Sequence, residues 1–121
     1  MEEQDPQKKY DLEDRTFKFA QQVRAFVKTL PRTIANVEDV RQLIKASGSV
    51  GANYIEANNA LSRKDFFMRI KICRKESKES HYFLRLVDTG TDRTVHAERD
   101  RLVQESHELV LIFGSIIQRG E

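Results

Sequence analysis

The residues of this chain best suited to chemistry are cations at helical spacing: Lys64, Lys71, Arg74, Lys75, Lys78 and Arg85. At about 100° per residue they fall within about a quarter of a helical wheel, with Tyr82 among them and Phe67 at the edge. Lysine and arginine in such a line can follow a phosphate backbone, and an aromatic can stack on an unpaired base. The same pattern suits a solvated face, whose long side chains shield the core and pair with acids on neighbouring helices. Residues 63–85 hold eight Lys or Arg against Asp65, Glu76 and Glu79, a balance of +5 in a chain whose net charge is only +2. Residues 1–14, with six acids and two lysines, carry −4.

Other chemistries find fewer residues. There is no glycine-rich phosphate loop and no Ser/His/Asp or Cys/His arrangement. Helical bundles can hold metals through Glu-x-x-His pairs, but Lys78, Arg93 and Gln104 stand three residues before His81, His96 and His107. Asp92, His96 and Asp100 share a helix face, where capping and solvent pairing is the ordinary role for such groups. The single cysteine, Cys73, falls on an apolar face and reads as an inert small hydrophobe. Asn53 and Glu56, with Glu76, Glu79 and Arg74 on the following helix, can form an interhelix polar cluster, which sets register more often than it performs chemistry. We expect no enzyme, no metal, no cofactor and no small-molecule substrate.

The elements that must position these groups are helices. Five Gly and two Pro in 121 residues argue against a many-turned β architecture. Residues 1–10, mixed in charge and containing Pro6, are expected to form a flexible acidic tail, and residues 11–121 a single domain. The first helix starts near Asp11 and turns Thr16, Ala20, Val23, Val27 and Leu30 inward, flanked by Phe19 and Phe26, until Pro31 stops it. Asn36 with Asp39 resembles a capping box and starts the second helix, which carries Val40, Ile44, Ser47, Gly51 and Tyr54 on one face and Leu43, Val50, Ala57 and Leu61 beside it. Glycine inside a helix costs about 1 kcal/mol against alanine, so Gly48 and Gly51 are expected to admit a neighbouring helix, together with Ser47 and Ala52. Ser62 with Asp65 caps the third helix, whose inner line is Phe66, Ile70, Cys73, Ser77, Leu84 and Val87, with Gly90 as its C′ stop. The fourth starts near Asp92 to Thr94 and turns Val95, Leu102, Ser106, Leu109, Phe113 and Ile116 inward. Spacings of three and four with short connections predict an all-α fold, an antiparallel up-down-up-down four-helix bundle.

One core does not use all the oily residues. Met68, Ile72, Phe83 and Leu86 lie off the inner line of the third helix, and Leu111 opposite that of the fourth. A monomer would expose them, and patches of this kind mark interfaces, so self-association is expected. One cysteine, no apolar run of the ~20 residues that cross a bilayer and an acidic start predict a cytoplasmic protein with no membrane contact.

Two strings carry a resemblance: Ser49-Val50-Gly51-Ala52-Asn53-Tyr54-Ile55-Glu56 and Lys75-Glu76-Ser77-Lys78-Glu79-Ser80-His81-Tyr82-Phe83-Leu84-Arg85-Leu86. In order and spacing they resemble the family of small four-helix-bundle proteins named after reading frames in 23S rRNA intervening sequences. That resemblance implies a bundle assembling as a ring-like homopentamer, usually without an assigned activity. A branch related in fold, the Avd accessory proteins of diversity-generating retroelements, engages a reverse transcriptase and nucleic acid through a basic surface. By that analogy Lys64, Lys71, Arg74, Lys75, Lys78 and Arg85 would contact RNA, DNA or a reverse-transcriptase-like enzyme. The resulting expectation is a non-catalytic scaffold or adaptor. Its competitor is a purely structural self-assembly module.

Overall fold

The computed structural model describes residues 6–120, with side chains described for residues 11–120. Four helices account for the fold: α1 (Pro6–Val27), α2 (Ile34–Asn58), α3 (Arg63–Leu86) and α4 (Arg93–Gly120). No strand occurs among the described residues. Helices adjacent in the chain pack together and α4 closes onto α1, with the α2–α3 pairing the most extensive and α1–α4 the least. The result is a four-helix bundle around one apolar core.

α1 begins at Pro6 rather than near Asp11, so half of the expected tail is helical. Proline suits a first helical turn because the N–H it lacks has no partner there. Residues 1–5 lie outside the described residues.

The inner faces follow the expected periodicity with small rotations. In α1 the buried line is Thr16, Phe19, Val23 and Phe26, whereas Ala20, Val27 and Leu30 stay partly exposed. Two aromatic rings bury far more apolar area than the residues they displace, and this sets the rotation. In α2 the inner line is Leu43, Val50 and Ala57 with Ala46, Ser47 and Tyr54, while Leu61 lies beyond the helix end and is 98% exposed. α3 buries Ile70, Cys73, Ser77, Ser80 and Leu84, with Phe66 half-buried against them. In α4 Ile117 is buried and the expected Ile116 is half-buried beside it.

Several core positions are hydroxyls, and each returns its proton to its own helix. Thr16 donates to the carbonyl of Leu12 (2.9 Å), Ser77 to Cys73 (2.8 Å), Ser80 to Glu76 (2.9 Å) and Ser106 to Val103 (2.8 Å). Satisfied in this way, a small polar side chain can be buried where helices approach closely. α2 runs unbroken through Gly48 and Gly51. A Cβ on Gly51 would stand 2.9 Å from Thr16 Oγ1, so that glycine does admit α1; Ala52, expected on the same contact, is exposed.

Expected boundaries also change at α2 and α3. α2 is capped by Thr33, whose hydroxyl accepts from the Asn36 N–H at 3.0 Å. Asn36, expected as the cap, is instead 2% exposed and ties two loops: its amide donates to the Pro31 and Asp88 carbonyls (both 2.8 Å), and its oxygen accepts from the Asp88 N–H (2.9 Å). Ser62 caps α3 as expected, accepting from the Asp65 N–H at 3.1 Å. α3 ends at Leu86 with Val87 as its cap, so Gly90 is not its C′ residue. With φ +72°, Gly90 makes the next turn and donates its N–H to Asp88 Oδ1 at 2.9 Å.

Candidate functional site

The core line of α3 fixes which way its cations point. With Ile70, Cys73, Ser77 and Leu84 buried, Lys64, Lys71, Lys75, Lys78 and Arg85 are exposed and Arg74 is half-buried. Lys71, Arg74, Lys75, Lys78, Glu79 and Tyr82 line one shallow groove. Tyr82 is 55% exposed there, its ring edge-on to Phe83 at 5.1 Å between centroids. Lys64 and Arg85 share the helix but do not line the groove. Phe67 is engaged at the start of α3, under the Arg63 guanidinium at 5.0 Å and edge-on to Phe66.

The groove runs into a second depression between α3 and α4. Arg74 and Lys78 line both, and the second adds Val110, Leu111, Gly114 and Ile117. Gly114 leaves it open, because a Cβ there would meet only Arg74 Cδ, at 3.9 Å. Cationic and apolar surfaces, separate in the sequence reading, therefore meet at this edge. Met68, Leu86 and Leu111 are exposed as expected, and Ile72 is half-buried. Phe83 is half-buried and packs against the core. Phe17 and Ile55, which the sequence reading did not place on any interface, are 61% and 50% exposed.

The expected polar cluster divides. Asn53 Oδ1 accepts from Arg69 Nη1 at 3.0 Å, and its amide donates to the Ser49 carbonyl at 2.9 Å. Arg69 is thus the α3 partner of Asn53, while Arg74 turns toward α4 and Glu56 is exposed. Glu76 is largely buried, and that burial, reinforced by Glu79, raises its carboxyl pKa despite Lys75 and Lys45. Only a long contact, 4.0 Å, joins it to Lys75.

The other candidate groups take structural roles. Burial pushes the Cys73 thiol up to about 12, and the thiol donates to the Val50 carbonyl at 3.4 Å. His96 Nε2 lies 2.7 Å from the Gly90 carbonyl, Asp92 accepts from the Thr94 N–H and hydroxyl, and Asp100 pairs with Arg99. His81 and His107 face each other across α3 and α4 with ring centroids 6.0 Å apart, and burial lowers the His81 pKa, helped by Arg85 and His107. Among the described residues no group of three or more His, Cys, Asp or Glu comes together as a metal site, and no helix is long and apolar enough to cross a membrane.

Comparison with known proteins gives a family. No curated protein matches the chain. A crystal structure of a protein of unknown function from the S23 ribosomal protein family of Bacteroides thetaiotaomicron superposes with a TM-score of 0.71 at 28% identity, covering 87% of this chain and 96% of that one. The family model for the 23S rRNA-intervening sequence protein matches residues 8–111. A match over most of both α1–α4 sequence and fold places the chain plainly: it belongs to the 23S rRNA-intervening sequence protein family.

Proposed function

We propose that this chain is a non-catalytic, cytoplasmic scaffold that assembles with copies of itself and presents the basic face of α3 to nucleic acid or to an enzyme working on nucleic acid. The observation that carries the reading is the groove whose lining combines Lys71, Arg74, Lys75 and Lys78 with an exposed Tyr82, against the single acid Glu79. Cations track phosphates and the phenol offers a stacking surface, with no base-specific hydrogen-bonding apparatus required. The helices run alternately up and down, a sense supported by Arg63 at the start of α3 donating to the Gly120 carbonyl at the end of α4. Exposed Met68, Leu86 and Leu111 support self-association, and a ring multiplies a weak groove into useful avidity. The homopentameric number comes from the family resemblance alone. Those same apolar residues also favour the competing reading, a self-assembly module with no nucleic-acid role.

Fluorescence anisotropy with labelled single-stranded RNA and DNA separates the two. Affinity should fall steeply between ~50 and ~200 mM salt, and replacing Lys71, Lys75 and Lys78 with glutamine should flatten that slope by about two to three. The oligomeric mass from light scattering should not change with those replacements. Absence of salt-sensitive binding by the unmodified chain would leave the self-assembly reading. Met68→Glu should lower the oligomeric mass while preserving helicity, whereas Phe83→Glu should also cost fold stability because Phe83 packs on the core.

A further inference from the structure

A second charged surface lies away from α3. Where α1 turns into α2, Lys28, Arg32 and Arg41 line a cleft floored by Leu30, Val37 and Val40. No acid lines it, and none of the three cations has a hydrogen bond or ion pair among the described residues. The nearest acids in sequence point to other work or stay off the lining: Glu38 and Asp39 follow on α2, and Asp88 accepts from Gly90. The wall is preformed, because buried Asn36 clamps Pro31 to Asp88. Three unpaired cations over aliphatic side chains, with no aromatic among the lining residues, suit an acidic peptide segment with an aliphatic anchor better than they suit a nucleotide.

We infer that this cleft receives the acidic segment Met1-Glu2-Glu3-Gln4-Asp5 of a second copy of the chain. Its three carboxylates match three cations, and Met1 supplies a flexible apolar group for the floor. Reach decides that the contact is between copies. Pro6 and Val27 are the two ends of α1, and Val27 lines the cleft. A 22-residue helix is about 33 Å long, and five extended residues span at most about 18 Å, so a chain cannot fill its own cleft. The contact joins different surfaces of two copies, an arrangement met either by reciprocal exchange in a two-fold dimer or head-to-tail around a ring. It is independent of the nucleic-acid reading, since it uses none of the α3 cations.

Full-length chains, one batch carrying heavy nitrogen, are mixed in equal amounts in denaturant, refolded together and treated with a carbodiimide, which joins a carboxylate directly to an amine in contact with it. Mass spectrometry should find Glu2, Glu3 or Asp5 linked to Lys28, with about half of those links between a heavy and a light chain, the random-mixing value for contacts between copies. Arg32→Glu with Arg41→Glu should cut the yield at least tenfold while leaving helicity unchanged. Adding Glu2→Arg and Glu3→Arg to that variant should restore the Asp5–Lys28 link. Links to Lys64, Lys71, Lys75 or Lys78 instead, links confined to one isotope, a double variant that links as well as the parent, or no links at all would each overturn the inference.

Discussion

The helix α2 and the α1–α4 seam hold the same bundle by different means. At the core α2 meets its neighbours through small groups, Gly51 against Thr16 of α1 and the Val50 carbonyl against the Cys73 thiol of α3, with Arg69 reaching Asn53 at the rim. Where α1 meets α4 the joining groups are charged. Arg15 makes a forked contact to Glu105 (2.7 and 2.9 Å) and a further one to Glu108 (2.8 Å), and Arg101 reaches Gln22 at 3.1 Å. The first arrangement stabilises by excluding water and leaves no slack; the second leaves its groups partly wet, with side-chain exposures of 35% for Arg15 and 21% for Glu105. Packing of the first kind punishes added volume, and pairing of the second kind yields to salt.

The largest effect should come from overfilling the tight contacts. Gly51→Leu drives a branched side chain into Thr16, and Cys73→Leu does the same against the α2 backbone. Each should cost about 1–3 kcal/mol, read as a lower midpoint in chemical denaturation. An unchanged midpoint for Gly51→Leu would mean that α1 can move off α2 freely, and the contrast between the seams would disappear.

Breaking the charged seam should cost less. Arg15→Met keeps the aliphatic stem and removes three hydrogen bonds to partly exposed acids, a loss of about 0.2–1 kcal/mol after screening by solvent. The difference between Arg15→Met and the parent should shrink toward zero as salt rises to ~1 M, whereas the Gly51→Leu difference should persist.

These seams also differ in how far the sequence discloses them. Apolar spacing exposes Leu43, Ile70, Leu102 and Phe113, because a three-four repeat is written along each helix separately. A glycine in a helix announces its cost locally, which is why Gly51 could be read as a contact. Arg15 and Glu105 are 90 positions apart, and nothing near either marks the other. Asn36 misleads for a related reason: asparagine before a helix suggests a cap, but its partners Pro31 and Asp88 are set by two loops that meet only in the fold. The cations of α3 are legible as a stripe, yet their meeting with Leu111 depends on the rotation of α4 and on open space at Gly114. Arg69 lies off the stripe, so its spacing gives no sign of its bond to Asn53.

The smallest effect sharpens the contrast through pH, where the two regions should respond with opposite sign. On the α1–α4 seam, hydrogen bonds from Gln104 and then Arg15 lower the Glu108 pKa. A carboxylate depressed by folding contributes stability above its ordinary range, and that contribution is lost as pH falls through the folded value. Beside the α2–α3 seam, burial raises the Glu76 pKa. Its protonated form is the favoured one in the fold, so its contribution is complete below the ordinary carboxylate range and disappears as pH rises through the raised value. Glu76→Gln, which mimics the protonated form, should therefore raise the midpoint at neutral pH by less than Arg15→Met lowers it, and should do nothing well below pH 4. Denaturation midpoints of the two variants followed from neutral to acid pH test this: the Arg15→Met deficit should narrow as Glu108 and its neighbours protonate, and the Glu76→Gln gain should vanish over the window just above the ordinary carboxylate range. A Glu76→Gln variant less stable than the parent at neutral pH would show that the charged carboxylate is held by Lys75 and Lys45 more strongly than burial opposes it.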